Sequence, residues 1–412
     1  MISVERAKQL ILKNSGKNPT ASVPLREALG CVLSKNIRAS VDLPHWDNSA
    51  MDGFAINSQD TKLASPNRPI LLRITATAQA GSGKDFLLKK KQAIRIMTGA
   101  RIPKNANAIL IKEDAVILGD SLKICTPLKA GGHIRRKGEE VKKGDLFKFK
   151  GKILNAGLIG FLASLGRDKV EVYAKPCVAI ISTGDELTAP GKRLAPGKIY
   201  NSNSIMIHAA LNEIGILPVS VRTVADKPGL LRQYLSSALN AADILILTGG
   251  VSAGEYDFCK EILSDLGVKT IFWKVSQKPG KPLFFGRRKN QLIFGLPGNP
   301  ASVHMCFYEY ALAAIRCKMG FENPFLSRVP GFSVSGIKKD RTKTLFMKGR
   351  LIHSGPKRQI EVLSRQASHM ISSLYETDGF VFVPPGNDKI SKGKKVFFDK
   401  LPFSPRGEFC ES

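Results

Sequence analysis

Three short stretches in the second half of the chain combine glycine with hydroxyl and carboxyl side chains at close spacing. They read Ser182-Thr183-Gly184-Asp185-Glu186, then Thr248-Gly249-Gly250-Val251-Ser252-Ala253-Gly254-Glu255-Tyr256-Asp257, and Gly295-Leu296-Pro297-Gly298-Asn299-Pro300. Glycines at 249, 250 and 254 would let backbone N–H groups approach a phosphate closely, and a helix N-terminus nearby adds positive potential. One such loop is as readily an ordinary strand-to-helix turn; three on one sheet edge point to a ligand. Glu186, Asp226 and Asp257 fall at strand or loop ends on the same expected edge. Carboxylates beside a phosphate cradle suit a hard divalent cation such as Mg²⁺, which prefers oxygen ligands and bridges phosphate oxygens. Asp226 and Asp257 also suit the purely structural role of helix N-caps.

Two further clusters stand out. Lys274, Lys278 and Lys281 lie in WKVSQKPGKP, where two prolines and a glycine restrain the loop. Their ammonium groups act as compact point charges for a phosphate or a tetrahedral oxyanion. Residues 44–55, PHWDNSAMDGFA, crowd polar side chains with neither helical nor alternating periodicity. His45 beside Trp46 suits packing or hydrogen bonding better than catalysis. The chain has no GxSxG elbow, no HExxH and no GxxxxGK[ST] loop, and its six histidines show no ligand spacing.

The elements that must position these residues follow from the apolar pattern. Residues 4–14 carry Val4, Ala7, Leu10 and Ile11 on one helical stripe. From 69 to 126 the chain favours short strands punctuated by Gly, Pro and Asn, and 155–165 reads as a helix between Asn155 and Gly166. From about residue 176 strand and helix alternate: CVAIIS, SNSIMIHAALNEI, ILPVSVRTV, a helix opened by Asp226 and Pro228, DILILTGG, DFCKEILSDL, TIFW, QLIF and a long helix after Asn299-Pro300. Near-continuous apolar strands of this kind predict a parallel sheet buried on both faces. Ligands of such sheets bind outside the carboxyl ends of the strands. Beyond about 325, short strands between Gly/Pro/Lys turns predict a small all-β domain.

At 412 residues the chain is expected to hold two to four domains. Hydrophobic residues make up 43% and charged ones 24%, a globular balance. The seven cysteines are scattered without a CxxC pair, which argues against a disulfide framework or a Cys-based zinc site and suggests that most are small core residues. Sixty-three Lys+Arg against 34 Asp+Glu give +29, a field that draws anions to any cleft. The N-terminus lacks a signal-peptide pattern, and no apolar run approaches the roughly 18 residues of a membrane span. The expectation is a soluble, cytoplasmic protein.

In order along residues 40–305, the motifs resemble those of the molybdopterin molybdenumtransferases, the MoeA family, which includes the E domain of gephyrin. The stretch Asp47 to Ala55 is similar to its D-N-S-A-M-D-G-[FY]-A signature. RIMTGARIP (95–103), IRRKGEE (134–140), STGDEL (182–187), IYNSNS (199–204), LTGGVSAGEYD (247–257), KPGKPL (278–283) and GLPGNPAS (295–302) also match, with a weaker ASHMISSL (367–374). The resemblance implies insertion of molybdenum from molybdate into adenylylated molybdopterin, with Mg²⁺-dependent hydrolysis of the adenylate and release of AMP. It implies Asp52, Glu186, Asp226 and Asp257 as catalytic residues, the last three also holding metal. It implies substrate contacts from Thr98, Glu140, Lys274, Lys278, Pro297, Pro300 and Ser368. Read from the loops themselves, Ser182, Thr183, Gly184, Asp185, Thr248, Gly249, Gly250, Ser252, Gly254, Lys281, Gly298 and Asn299 join them, with Ser49 and Asn48 supporting Asp52.

The architecture implied is multidomain α/β and β. An elongated N-terminal dimerisation region (1–43 and 131–175) carries a mostly-β insertion (44–130). A three-layer, MogA-like α/β molybdopterin-binding domain (176–322) and a C-terminal β-barrel (323–412) follow. The implied assembly is a homodimer with the active site between subunits. The upstream adenylyltransferase and acceptor molybdoenzymes are candidate partners; a specific nucleic acid or a membrane is not expected. The sequence departs from the family pattern at Glu140, where Asp is common, at Ala367, where Gly is usual, and at Lys343 and Lys348, where Arg is usual. A molybdopterin-binding scaffold without turnover, a nucleic-acid binder and the sister adenylyltransferase are the competing readings.

Overall fold

The computed structural model describes residues 1–250, 258–354 and 357–403, and it divides into two compact units. The first contains residues 1–35, 151–155 and 169–412; the second contains 36–150 and 156–168.

In the first unit, helix α1 (Val4–Asn14) is capped by the Ser3 side chain, which accepts from the Arg6 N–H. It buries Val4, Ala7 and Ile11, the stripe expected from their spacing. Strands β1 (Thr20–Pro24) and β2 (Lys169–Tyr173) pair antiparallel. The α/β portion runs β3 (Val178–Thr183), α2 (Ser202–Asn212), β4 (Ser220–Val224), α3 (Pro228–Ala241), β5 (Ile244–Thr248), α4 (Phe258–Asp265), β6 (Lys269–Trp273), β7 (Phe284–Arg288) and β8 (Gln291–Leu296). It ends in α5 (Pro300–Cys306), a π-helical turn (Phe307–Ala311) and α6 (Leu312–Lys318).

The sheet order is β4-β3-β5-β8-β7-β6. The first four strands are parallel, and their C-terminal ends are in register: Thr183 lies opposite Val224, Ser182 opposite Thr248, and Thr248 opposite Leu296. Val178, Ile180, Ile244 and Ile246 face one core layer, while Ala179, Ile181, Leu245 and Leu247 face the other. Burial on both faces is what made these strands uninterrupted apolar runs.

The expectation of a wholly parallel sheet needs correction. Strand β7, absent from the sequence reading, forms a hairpin with β8 and also pairs antiparallel with β6. The long helix after Pro300 is likewise interrupted by the π turn that carries Glu309.

The C-terminal strands β9 (Ser327–Ser333), β10 (Thr344–Ser354), β11 (Lys357–Val362), β12 (Gly379–Val383) and β13 (Lys395–Lys400) close on themselves as a five-strand barrel. Their pairings run β10-β11-β9-β13-β12 and return to β10. Leu351, Ile360, Val381, Val383, Val396 and Phe398 fill it.

The second unit holds a six-stranded sheet in the order 108–111, 53–56, 92–96, 70–78, 121–124, 116–118. Gly53 sits where a Cβ would lie 2.0 Å from the Leu110 carbonyl oxygen, so the neighbouring strand leaves room only for glycine. The helix Ala156–Ser164 belongs to this unit and has no polar face; Phe161 meets Phe147 edge-on at 5.0 Å between ring centroids.

Among the described residues no helix is long and apolar enough to cross a membrane. Cys31, Cys259 and Cys306 are buried, whereas Cys125 and Cys317 are half-buried and Cys177 is exposed, so fewer cysteines serve the core than expected.

Candidate active site

The open end of the parallel strands in the first unit gathers most of the expected residues. Ser182 and Thr248 close adjacent strands, and their hydroxyl oxygens lie 2.8 Å apart. Both side chains are fully buried. These hydroxyls therefore clamp β3 to β5, leaving only the backbone of the two residues to meet a ligand.

Thr183 behaves differently. Its hydroxyl donates to Oδ1 of Asp226, just beyond β4. The Asp226 N–H in turn donates to Asp185 Oδ1 at 3.1 Å. Asp226 was an equally good candidate for capping the next helix, but the residue at that position is Lys227, and no side chain caps there. The carboxylate of Asp226 thus belongs to the sheet edge.

Glu186 is exposed and folds back over the turn, since a Cβ on Gly184 would stand 2.5 Å from Glu186 Oε2. Gly249 has φ +81°, and a Cβ there would lie 2.2 Å from the Thr183 carbonyl oxygen. Both facts require glycine and bring the turn after β5 directly against the end of β3. Ser252, Gly254 and Asp257 lie outside the described residues.

The third loop, Pro297-Gly298-Asn299-Pro300, leads from β8 into α5, with Pro300 in the first turn where its missing N–H costs nothing. Asn203 Nδ2 donates to the Gly298 carbonyl oxygen at 2.7 Å. Asn299 Nδ2 donates to Ser368 Oγ at 3.0 Å, and the Ala301 N–H to the Ser368 carbonyl oxygen at 3.1 Å. Ser368 is thereby held against the start of α5. Asn203 was not singled out from the sequence, although the IYNSNS stretch that contains it was visible.

The three lysines are less united. Lys274 has φ +70° and lays its ammonium over the Trp273 ring, 4.0 Å from the centroid. Lys278 sits in a two-residue strand beside Thr344 and Leu345, and both Lys278 and Lys281 are exposed. None of the three pairs with a carboxylate among the described residues.

In the second unit Asp52 and Thr98 come together. Asp52 Oδ1 accepts from the Thr98 N–H at 2.7 Å and from its hydroxyl at 2.8 Å. These two bonds, the backbone one foremost, hold the Asp52 carboxyl below the usual carboxylate range. Ser49 donates to the Met51 carbonyl oxygen, and Asn48 donates to that of Trp46, so both shape the Asp52 loop. Asp47, noted only as the start of the motif, accepts from Arg136 Nη1 at 2.7 Å and the Lys137 N–H at 2.8 Å. Glu140 is exposed and is tied down through its N–H to the Leu43 carbonyl oxygen.

The donor set at the sheet edge is oxygen only: the Glu186 carboxylate and the Asp226 oxygen that Thr183 leaves open. Its chemistry fits a hard divalent cation. Among the described residues, no three His, Cys, Asp or Glu side chains gather closely enough to hold a metal ion. Asp257, the third expected ligand, is beyond them.

This organisation is that of a molybdopterin-binding protein in its α/β portion: residues 179–316 match the family described as a probable molybdopterin binding domain. Residues 2–166 match the MoeA N-terminal region (domain I and II), and residues 334–401 match the MoeA C-terminal region (domain IV). Molybdopterin molybdenumtransferase 2 of Mycobacterium tuberculosis is 33% identical over 96% of this chain and 98% of its own. A molybdopterin molybdenumtransferase of Staphylococcus epidermidis is 37% identical over 77% and 76% of the two chains. The solved molybdopterin biosynthesis MoeA protein of Pyrococcus horikoshii aligns with a TM-score of 0.77 at 29% identity, covering 97% of this chain and 100% of that one. The chain belongs to the MoeA family.

Proposed function

We propose that this protein is a molybdopterin molybdenumtransferase: it moves molybdenum from molybdate onto the dithiolene of an adenylylated molybdopterin, hydrolyses the adenylate and releases AMP and molybdenum cofactor. The observation that carries this reading is the sheet edge at Thr183, Asp226 and Gly249, a glycine turn flanked by carboxylates, in a chain of this family. The substrate supplies the sulfur ligands, which is consistent with cysteines that are scattered and partly buried.

In this reading Asp226 and Glu186, with Asp257, would hold Mg²⁺, which supplies charge neutralisation at the phosphates. The backbone of Gly184, Asp185, Gly249 and Gly250, with Ser252 and Gly254, cradles the phosphates. Thr183 orients Asp226, while Ser182 and Thr248 keep the two strand ends in register. Lys274, Lys278 and Lys281 attract the anionic substrates. Pro297, Gly298, Asn299, Pro300 and Ser368 shape the far wall. Asp52, with Thr98 and Glu140, serves a site completed by a second copy. The apolar helix Ala156–Ser164 favours burial against another subunit and so supports a homodimer. The four-part division at residues 1–43 with 131–175, 44–130, 176–322 and 323–412 remains part of the proposal, as does a cytoplasmic location.

The test is an assay of AMP release from adenylylated molybdopterin with Mg²⁺, with and without molybdate. Release that requires molybdate supports the reading. Formation of the adenylate instead of its consumption would assign the chain to adenylyl transfer. Unchanged release from Asp52→Ala and Glu186→Ala would show that the site lies elsewhere.

A further inference from the structure

Lys348 stands where the family usually has arginine, a residue suited to gripping an oxyanion with two parallel N–H groups. Its surroundings give it another use. The residue is only 4% exposed. Its ammonium donates to Ser373 Oγ at 2.6 Å, to the Met370 carbonyl oxygen at 3.2 Å and to the Ala367 carbonyl oxygen at 3.5 Å. Three donors therefore meet three protein acceptors, and an anion would reach Lys348 only by displacing one of them.

All three acceptors lie in one segment, residues 367–373, which carries Ser368. The same segment is tied to β10 at its start. Gln366 Oε1 accepts from the Lys348 N–H at 2.9 Å, and Gln366 Nε2 donates to the Lys348 carbonyl oxygen at 2.8 Å. The side-chain amide of Gln366 thus acts as a one-residue strand against the backbone of Lys348, while the Lys348 side chain spans the rest of the loop. Ser373 passes the connection on, donating to the Arg365 carbonyl oxygen at 3.0 Å. Ala367, the other departure in this region, does not take a positive φ, so the loop does not need the glycine usual there.

On the far side of the segment, Ser368 meets Asn299 and Ala301 at the start of α5. We infer that Lys348 is a positioning residue: it acts through the 367–373 segment to set Ser368 against Asn299-Pro300, and it does not touch the oxyanion itself. Burial depresses the basicity of Lys348, so its bonds to neutral acceptors, and not an ion pair, hold it there. The consequence for specificity is that Lys348 offers the site no charge of its own, and the segment it holds presents the Ser368 hydroxyl to the start of α5.

This inference rests on the proposed transferase reading for its kinetic arm and is independent of it for its structural arm. The structural arm is hydrogen exchange of the full-length protein. Lys348→Met should raise exchange of the Ala301 amide by about tenfold, the loss of one net hydrogen bond, while Val303, bonded to the Asn299 carbonyl oxygen, stays protected. Lys348→Arg, which can donate to the same acceptors, should keep Ala301 protected and guards against misreading a folding defect.

The kinetic arm is a cycle of Lys348→Met and Ser368→Ala in molybdate-dependent AMP release. Each single change should raise the KM for molybdate by about tenfold with kcat within about twofold, and the double change should be no worse than Ser368→Ala alone. A double variant whose losses multiply would overturn the inference, because Lys348 would then contribute a contact of its own. Unchanged Ala301 exchange in Lys348→Met would overturn it as well. If the wild-type protein releases no AMP, the transferase reading fails while the exchange result still decides whether Lys348 sets the Ser368 loop.

Discussion

The hydroxyl of Thr183 donates to the carboxylate of Asp226, joining the end of β3 to the turn after β4 across the strand boundary. This bond turns a carboxylate that is free to cap a helix into one fixed at the sheet's open end.

Thr183→Val should therefore lower molybdate-dependent AMP release by about 10–100-fold, the usual range when a partner that orients a ligand is removed. Thr183→Ser should recover most of it. The comparison is made by single-turnover AMP release at saturating Mg²⁺. Equal activity in the valine variant would show that Asp226 needs no anchor.

Gly249→Ala forces a Cβ to 2.2 Å from the Thr183 carbonyl oxygen at a φ of +81°. Backbone shift and left-handed strain together should cost about 1–3 kcal/mol, read as a lower urea midpoint. Gly298→Ala is the control: nothing lies within 4 Å of its added Cβ, and its φ is not positive. A Gly249→Ala protein as stable as the control would mean that the turn has room to relax.

Asp52 is held ionised by Thr98, so its carboxylate persists as pH falls below the usual carboxylate range. A depressed folded-state value stabilises above the unfolded value and is lost as pH falls through the folded one. Thr98→Val removes the hydroxyl bond and leaves the backbone bond, so the Asp52 titration should move upward part of the way. Carboxyl ¹³C titration followed by NMR reads this directly; an unmoved titration would mean that the backbone bond alone sets it.

Glu309 and Lys8 form a buried pair at 2.5 Å, with the Glu309 side chain fully buried and its second oxygen, Oε1, unpartnered. Burial pushes the Glu309 carboxyl up to about 7, against the opposing pull of Lys8. Between its ordinary 4.5 and about 7 the folded state holds a proton that the unfolded state lacks, so stability falls as pH rises through that window. Glu309→Gln should flatten this slope in urea midpoints taken across the window. A parallel slope in both proteins would place the pH dependence elsewhere. Lys8→Met, which strands the carboxylate, should cost roughly 3–5 kcal/mol above that window.

The parallel strands were legible because a sheet covered on both faces must spell its strands in apolar runs, as Val178–Ile181 and Ile244–Leu247 do. The turns were legible because glycines 249 and 250 are required by crowding at the sheet edge. The hairpin β7 was not, since Phe284-Phe285-Gly286-Arg287-Arg288 shows no clear period and ends on charge. Its one signal was Lys289-Asn290, a turn pair in which Lys289 takes a φ of +52°. The π turn at 307–311 was invisible because Phe307 to Ala311 keep an apolar helical composition whatever the hydrogen-bond step. The fate of Asp226, cap or sheet-edge ligand, depended on a threonine 43 residues away. No local pattern carries that choice, and the same holds for the reach of Lys348 to Ser373.

The division of the chain has a bearing on its synthesis. Residues 36–150 form most of one unit without interruption, whereas β1 finds its strand partner at Lys169–Tyr173, after that whole stretch has been made. α1 packs into a core whose other members begin at Val178 and extend to Leu401. On the ribosome α1 is therefore made well before most of the core that covers it. The amphipathic stripe of Val4, Ala7 and Ile11 stays uncovered until the α/β portion, from Val178 to α6, has been made.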